Sequence, residues 1–242
     1  MIVGTRKQCS KVIDENPIIQ VSGEVIERVS LAKNLRMMMD SEIRFIEHIN
    51  SRVRNAFYRL KVLYGVREYL AVDIREMLTD LLVLSQFNYC DVVYGPRLYQ
   101  KTKKLIQRVQ NACARFCYSI PKYASVSPFL NQRKVLKMDG RRYLHYTSFV
   151  HKIINTQRPF YLYKKLTFRN DKAKRVTRLH SRQELIVPKL KTAGFRGSFK
   201  YSASKVWNNI PPPMQNITTQ ALKNYKKKWL IEKQIRDTGA KL

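Results

Sequence analysis

The chain has 242 residues, and its 47 Lys+Arg against 17 Asp+Glu give a formal charge of +30. Hydrophobic residues make up 44% and aromatic residues 11%, which excludes wholesale disorder and leaves room for a sizeable core in one or two domains. Residues 1–95 hold 13 basic and 12 acidic side chains while residues 96–242 hold 34 and 5, an imbalance that calls for a polyanionic partner, nucleic acid first and an anionic membrane surface second.

Met1–Gly4 is apolar, but Arg6 and Lys7 follow at once, so no secretory core segment is read there. No window reaches the ~20 apolar residues of a membrane span, and a place in the nucleus or cytoplasm is expected. Two short β-branched runs, 17–21 and 24–29, flank Ser22-Gly23 and predict a tight hairpin. Leu35–Met39 predicts one more strand.

Helical signals then take over. Ser41 is the expected N-cap of a helix to about Val66, with Ile43, Ile46, Ile49, Val53, Phe57, Leu60 and Tyr64 as its apolar stripe. A second helix is expected from Asp73 to Tyr94, with Met77, Leu81, Leu84 and Phe87 inward and Gly95-Pro96 ending it. A third spans Tyr99–Tyr118, with Leu105, Val109, Ala112 and Phe116 on one face and Lys101, Lys104, Arg108 and Arg115 on another. Further helices are expected at 139–155, carrying Tyr143 and Tyr146, at 199–210, and from a Thr218 cap to Ile235 with Lys223, Lys226, Lys227 and Lys228. Between them lie a basic link at 168–182, with Arg175, Arg178 and Arg182, and a possible strand at 184–190.

Common catalytic motifs do not occur. A phosphate-binding loop fails at Gly4-Thr5-Arg6-Lys7, and neither HExxH, GxSxG nor paired aspartates are found. Cys9, Cys90, Cys113 and Cys117 make no CxxC pair and read as buried thiols rather than zinc or disulfide partners. His48, His145, His151 and His180 are scattered and read as structural, His48 on the polar side of its helix.

Several segments, in order, resemble the downstream end of a non-LTR retrotransposon reverse transcriptase of the jockey-like type. They are Met1-Ile2-Val3-Gly4-Thr5, the hairpin, Leu31-Ala32-Lys33-Asn34-Leu35-Arg36, and Phe45-Ile46-Glu47-His48-Ile49. Tyr89-Cys90-Asp91-Val92-Val93-Tyr94-Gly95, Gln107-Arg108-Val109-Gln110-Asn111 and Trp207-Asn208-Asn209-Ile210-Pro211 follow. The resemblance implies an α+β, predominantly α-helical fold. Residues 1–40 would be the palm's tail and a primer-grip-like hairpin, 41–95 thumb-like helices, and 96–242 a basic nucleic-acid-binding region.

The family activity is RNA-directed DNA synthesis on carboxylate-bound Mg²⁺. Its catalytic aspartates lie upstream of the primer grip, so this chain is expected to supply no catalytic or metal-ligating residue and no cofactor of its own. Leu35 and Arg36 map to the primer grip, where Arg36 replaces the family's glycine. The expected partners are RNA, the RNA–DNA duplex and the missing palm and fingers, with no membrane. Phosphate contacts are expected from Lys101, Lys104, Arg108 and Arg115, from Arg175, Arg178 and Arg182, and from Lys226, Lys227 and Lys228. Tyr143 and Tyr146 are candidates for base stacking or for core packing. A stand-alone, non-enzymatic nucleic-acid-binding or interaction protein is the alternative.

Overall fold

The computed structural model describes residues 1–14, 18–170, 183–189 and 193–239. Helix α1 (Arg6–Asp14) precedes two antiparallel hairpins, β1 (Gln20–Val21) with β2 (Glu24–Val25) and β3 (Leu31–Asn34) with β4 (Met37–Asp40). The remainder is mainly helical: α2 (Ile46–Tyr64), α3 (Val72–Leu78), α4 (Asp91–Tyr94), α5 (Gln100–Tyr118), α6 (Ser127–Gln132) and α7 (Met138–Thr156). After these come α8 (Phe160–Tyr163), α9 (Phe199–Asn208), α10 (Pro212–Gln215) and α11 (Thr219–Gly239). The fold class is therefore the expected one, mostly helical with short N-terminal hairpins.

The first hairpin turns at Ser22 (φ 53°) and Gly23 (φ 87°), the two positive dihedrals that a primed two-residue turn requires. The second hairpin corrects the expected strand at 35–39. Leu35 (φ 45°) and Arg36 (φ 62°) are the turn itself, and the strand begins only at Met37.

Helix α2 starts later than Ser41 predicts. Phe45 precedes it in the left-handed region, and Asp40 supplies the capping oxygens, accepting from the Arg44 amide at 2.8 Å and the Ile46 amide at 3.3 Å. Its buried face is His48, Ile49, Ala56, Leu60 and Leu63, whereas Ile46, Phe57 and Tyr64 of the expected stripe are exposed. His48 is thus inward, not on the polar side: the Met38 amide donates to its Nδ1 at 3.4 Å. Burial and the neighbouring Arg52 lower its pKa.

The single helix expected at 73–94 is broken. Helix α3 runs into a π turn at Thr79–Val83 and a 3-10 turn at Leu84–Phe87, and Cys90 (φ 54°) then redirects the chain into α4. The wider π turn rotates Thr79, Val83, Leu84 and Phe87 inward and leaves Met77 and Leu81 outside.

Two principal cores result. The first joins α2, the 79–87 turns and α5 through Ile49, Leu60, Phe87, Ile106, Val109 and Phe116. The second joins α7, α9 and α11 through Val150, Leu185, Val206, Trp207, Ile210 and Leu222. Helix α7 packs against α4, α5, α9 and α11 and so links the two. The charge step at residue 95 is not a packing boundary, because the first core draws on both sides of it.

Candidate nucleic-acid interface

Helix α5 buries Val109 and Phe116 of its expected stripe, but Ile106 and Cys113 take the inward places expected of Leu105 and Ala112, which are only half-buried. Lys101, Lys104 and Arg108 are exposed at i, i+3 and i+7. Arg115 does not join them. It is half-buried, and its guanidinium donates to the Asn111 carbonyl at 3.5 Å and the Ala124 carbonyl at 3.1 Å, holding the chain that follows the helix.

Helix α11 begins where Thr218 predicts, its hydroxyl accepting from the Ala221 amide at 3.3 Å. Lys223, Lys227 and Lys228 are exposed, but Lys226 is 3% exposed and corrects the expected trio. It follows Leu222 on the stripe that packs against α7 and α9. Its Nζ donates to the Asn209 carbonyl at 3.4 Å and lies 4.4 Å from the centre of the Trp229 ring. Burial, then the neighbouring Lys233, lowers its pKa. The exposed lysines of α11 and the basic face of α5 sit on helices that both pack against α7. Arg175, Arg178 and Arg182 lie outside the described residues. The expected strand at 184–190 is, among the described residues, a single bridge between Leu185 and Phe168.

Leu35 and Arg36 occupy the tip of the second hairpin. The Tyr89 hydroxyl donates to the Leu35 carbonyl at 2.8 Å, and Arg52 Nη2 donates to the Arg36 carbonyl at 3.3 Å. Two non-glycine residues at positive φ are thereby tied to α2 and to the segment before α4.

A cleft of about 440 Å³ opens between α4, α7, α9 and the turn at 193–197. Lys103, Arg142, Arg196 and Lys205 line it, together with Asp91 and Asp139. Arg142 Nη2 donates to Asp139 Oδ1 at 2.5 Å, and Lys103 Nζ lies 4.0 Å from the same oxygen. Asp91 Oδ2 lies 2.5 Å from His145 Nδ1. Gly197 leaves room for the Arg97 side chain beside the 193–197 turn: a Cβ there would stand 2.7 Å from Arg97 Cγ. The sequence reading did not single out these four cations, although one signal exists. Arg142 interrupts the Met138, Tyr146, Val150 stripe of α7 at i+4 spacing, and a charge on a buried stripe needs a partner.

Tyr143 and Tyr146 both line this cleft. Tyr146 is buried, its hydroxyl 2.6 Å from Ser202 Oγ, and burial pushes its pKa up to about 12. Burial also raises the pKa of Tyr143. His151 is fully buried, with Nδ1 3.1 Å from Thr219 Oγ1 and Nε2 3.1 Å from the Gln215 carbonyl. Desolvation lowers its pKa, against the opposing pull of the Gln215 and Met214 main chain. Cys9, Cys113 and Cys117 are buried thiols and Cys90 is half-buried; burial raises the pKa of Cys113 and Cys117. Among the described residues no His, Cys, Asp and Glu side chains gather as a metal site, and no helix is long and apolar enough to cross a membrane.

In the Trp207–Pro211 segment the side chains build structure. Trp207 is fully buried and its Nε1 donates to the Gln183 carbonyl at 2.6 Å. Asn208 accepts from the Leu185 amide and donates to the Leu185 carbonyl, each at 2.9 Å.

Comparison with known proteins finds no counterpart: no family model matches the chain, no curated protein matches it, and no solved structure matches it.

Proposed function

We propose that the chain binds RNA or an RNA–DNA duplex through phosphate contacts, as the thumb-like and downstream part of a non-LTR retrotransposon reverse transcriptase. The observation that carries this reading is the exposed cationic face of α5, Lys101, Lys104 and Arg108, within a segment holding 34 basic and 5 acidic residues. Phosphates are read by such faces without regard to base sequence. The catalytic metal ions and their aspartates belong to the part of that enzyme upstream of the primer grip. No primer extension is therefore expected from the 242 residues alone with Mg²⁺ and an RNA template.

Fluorescence anisotropy with labelled single-stranded RNA across salt concentrations tests the reading. If Lys101, Lys104, Arg108, Lys223, Lys227 and Lys228 each neutralise one phosphate, affinity falls about 300-fold between roughly 50 and 200 mM salt. Affinity that is flat with salt contradicts phosphate-dominated binding.

A second reading is an interaction module. Tyr58, Val62, Tyr69 and Leu81 are each more than half exposed on the nearly neutral front portion. An apolar surface of that kind favours docking against protein, such as the palm of the same polymerase. Sedimentation velocity of the isolated chain tests it: self-association that rises with concentration is expected, and a strict monomer at high concentration argues against it.

A further inference from the structure

The cleft between α4, α7 and α9 supports a site distinct from the outer basic faces. Arg142 is 6% exposed. Its Nη2 is taken by Asp139, while Nη1 is buried with no hydrogen-bond acceptor. A buried donor without an acceptor is costly, so this guanidinium is held short of its full bonding. Asp139 is shared between Arg142 and Lys103, and Asp91 faces His145. Arg196 and Lys205 line the same cleft with no salt bridge among the described residues. The lining thus holds four cations against two carboxylates, both of them already engaged.

The rest of the lining is of another kind. Pro96, Tyr143, Tyr146 and Val206 give it an apolar wall, and Tyr201 and Ser202 add hydroxyls. Residues 201, 202, 205 and 209 recur on one face of α9 and its end, so that helix presents hydroxyls and a cation together. A lining that combines four cations with aromatic and aliphatic side chains suits a ligand with a phosphate on a planar ring system. The cleft's volume of about 440 Å³ falls within the range of small-ligand sites, roughly 300–1,000 Å³.

We propose that this cleft binds a 5′-phosphorylated nucleotide, its phosphate held by Arg142, Lys103, Arg196 and Lys205 and its ring against Tyr143 and Val206. Two sources share that chemistry, a free mononucleotide and the 5′-phosphorylated end of a strand. Arg142 is the anchor because its second nitrogen is the unmet donor. With Nη2 held by Asp139, Nη1 offers one charge-assisted donor to a phosphate oxygen, while Lys103 and Lys205 act as point charges. The site stands whether or not the faces of α5 and α11 hold a strand.

Isothermal titration of the full chain with adenosine 5′-monophosphate tests the proposal, with adenosine, a 5′-phosphorylated short oligonucleotide and its 5′-hydroxyl counterpart as further probes. Saturable AMP binding is expected, weakened about tenfold or more by Lys205→Glu and by Arg142→Lys. Lys61→Glu, on the exposed side of α2, leaves it unchanged. Lys205 is exposed, so its variant keeps the test sound even where Arg142→Lys disturbs the fold. AMP binding without the phosphorylated oligonucleotide assigns the site to a free nucleotide. Displacement of bound AMP by the phosphorylated oligonucleotide, but not by its 5′-hydroxyl counterpart, assigns it to a strand end; either result supports the proposal. No saturable binding at millimolar AMP, adenosine binding as tightly as AMP, or an affinity indifferent to Lys205→Glu overturns it. Failure of the strand-binding reading shows separately, in the salt titration.

Discussion

Asn208→Leu is the substitution that best tests how the second core is held. Leu185 forms a bridge with Phe168 in which the main-chain bonds run through its neighbours. The Arg169 amide donates to the Glu184 carbonyl at 2.8 Å, and the Ile186 amide to the Thr167 carbonyl at 2.9 Å. The amide and carbonyl of Leu185 therefore point to the other side, where the Asn208 side-chain amide receives both at 2.9 Å, as a neighbouring strand would. Leucine matches the volume of asparagine closely enough to fill the space but pairs with neither group. Leu185 is fully buried, and each of the two orphaned polar groups costs about 1–3 kcal/mol, so a loss of about 2–6 kcal/mol is expected.

Asn208→Asp separates the two bonds. One carboxylate oxygen still accepts from the Leu185 amide, but the other faces the Leu185 carbonyl and repels it. Only the protonated acid restores a donor there, which raises the folded-state pKa of the new carboxyl above its unfolded value. The restored stability is present at low pH and is lost as pH rises through the folded pKa. Urea unfolding followed by far-UV circular dichroism reads both variants. The deficit of Asn208→Asp relative to the native chain should shrink on acidification. A cost for Asn208→Leu below about 0.5 kcal/mol, a surface-like value, would refute the clamp.

Lys226 and its neighbours should separate cleanly. Lys226→Met keeps the buried stem and should leave RNA affinity unchanged with a stability change within about 1.5 kcal/mol, whereas Lys227→Glu with Lys228→Glu should weaken RNA binding and leave the unfolding midpoint in place. Arg36→Gly removes a side chain from a left-handed turn position and should stabilise the hairpin by about 1 kcal/mol, seen as a raised unfolding midpoint. His48 and His151 have folded-state pKa values below the ordinary 6.5, so the unfolded chain takes up protons first. Their contribution is present above about pH 6.5 and is lost as pH falls, with a slope of at most about 1.4 kcal/mol per pH unit for each imidazole. Urea midpoints from neutral to mildly acidic pH check this, and a flat profile would contradict it.

Long periodic segments were legible and short-range exceptions were not. Helices α5, α7, α9 and α11 fall within a few residues of their expected bounds because their faces repeat at i, i+3 and i+4 and because Pro121, Thr218 and Pro211 punctuate them. The 73–94 stretch misled because its apolar residues are dense enough to fit a continuous helix. The π turn at Thr79–Val83 shifts the phase without a marker in composition. The turn at Leu35-Arg36 lacked the glycine or asparagine that normally announces it; Tyr89 and Arg52 hold it from 54 and 16 residues away. Lys226 was grouped with its neighbours in sequence, whereas the helix groups it with Leu222, four residues back. The cleft was illegible for a similar reason, since α5, α7, α9 and the 193–197 turn each contribute one cation.

The net charge of the chain also overstates the surface it offers to a polyanion, and the reason lies in the acceptors its arginines meet. Helix α5 ends with carbonyls that no helical amide can satisfy. Arg67 Nε donates to the Phe116 carbonyl at 2.9 Å, Arg75 to the Cys117 carbonyl at 3.3 Å, and Arg115 to the Ala124 carbonyl just beyond. Cations at that end also oppose the negative pole of the helix dipole. Lys226 does comparable work inside α11, donating to the Asn209 carbonyl. These four side chains spend their donors on main-chain oxygens and are not free for phosphates. Charge reversal at them should therefore act through folding, while reversal at Lys101, Lys104 and Arg108 should act through binding and its salt dependence. The two classes are distinguished by measuring unfolding and RNA affinity on the same variants. A variant of Arg67 or Arg75 that weakens RNA binding with its unfolding midpoint intact would show this division to be wrong.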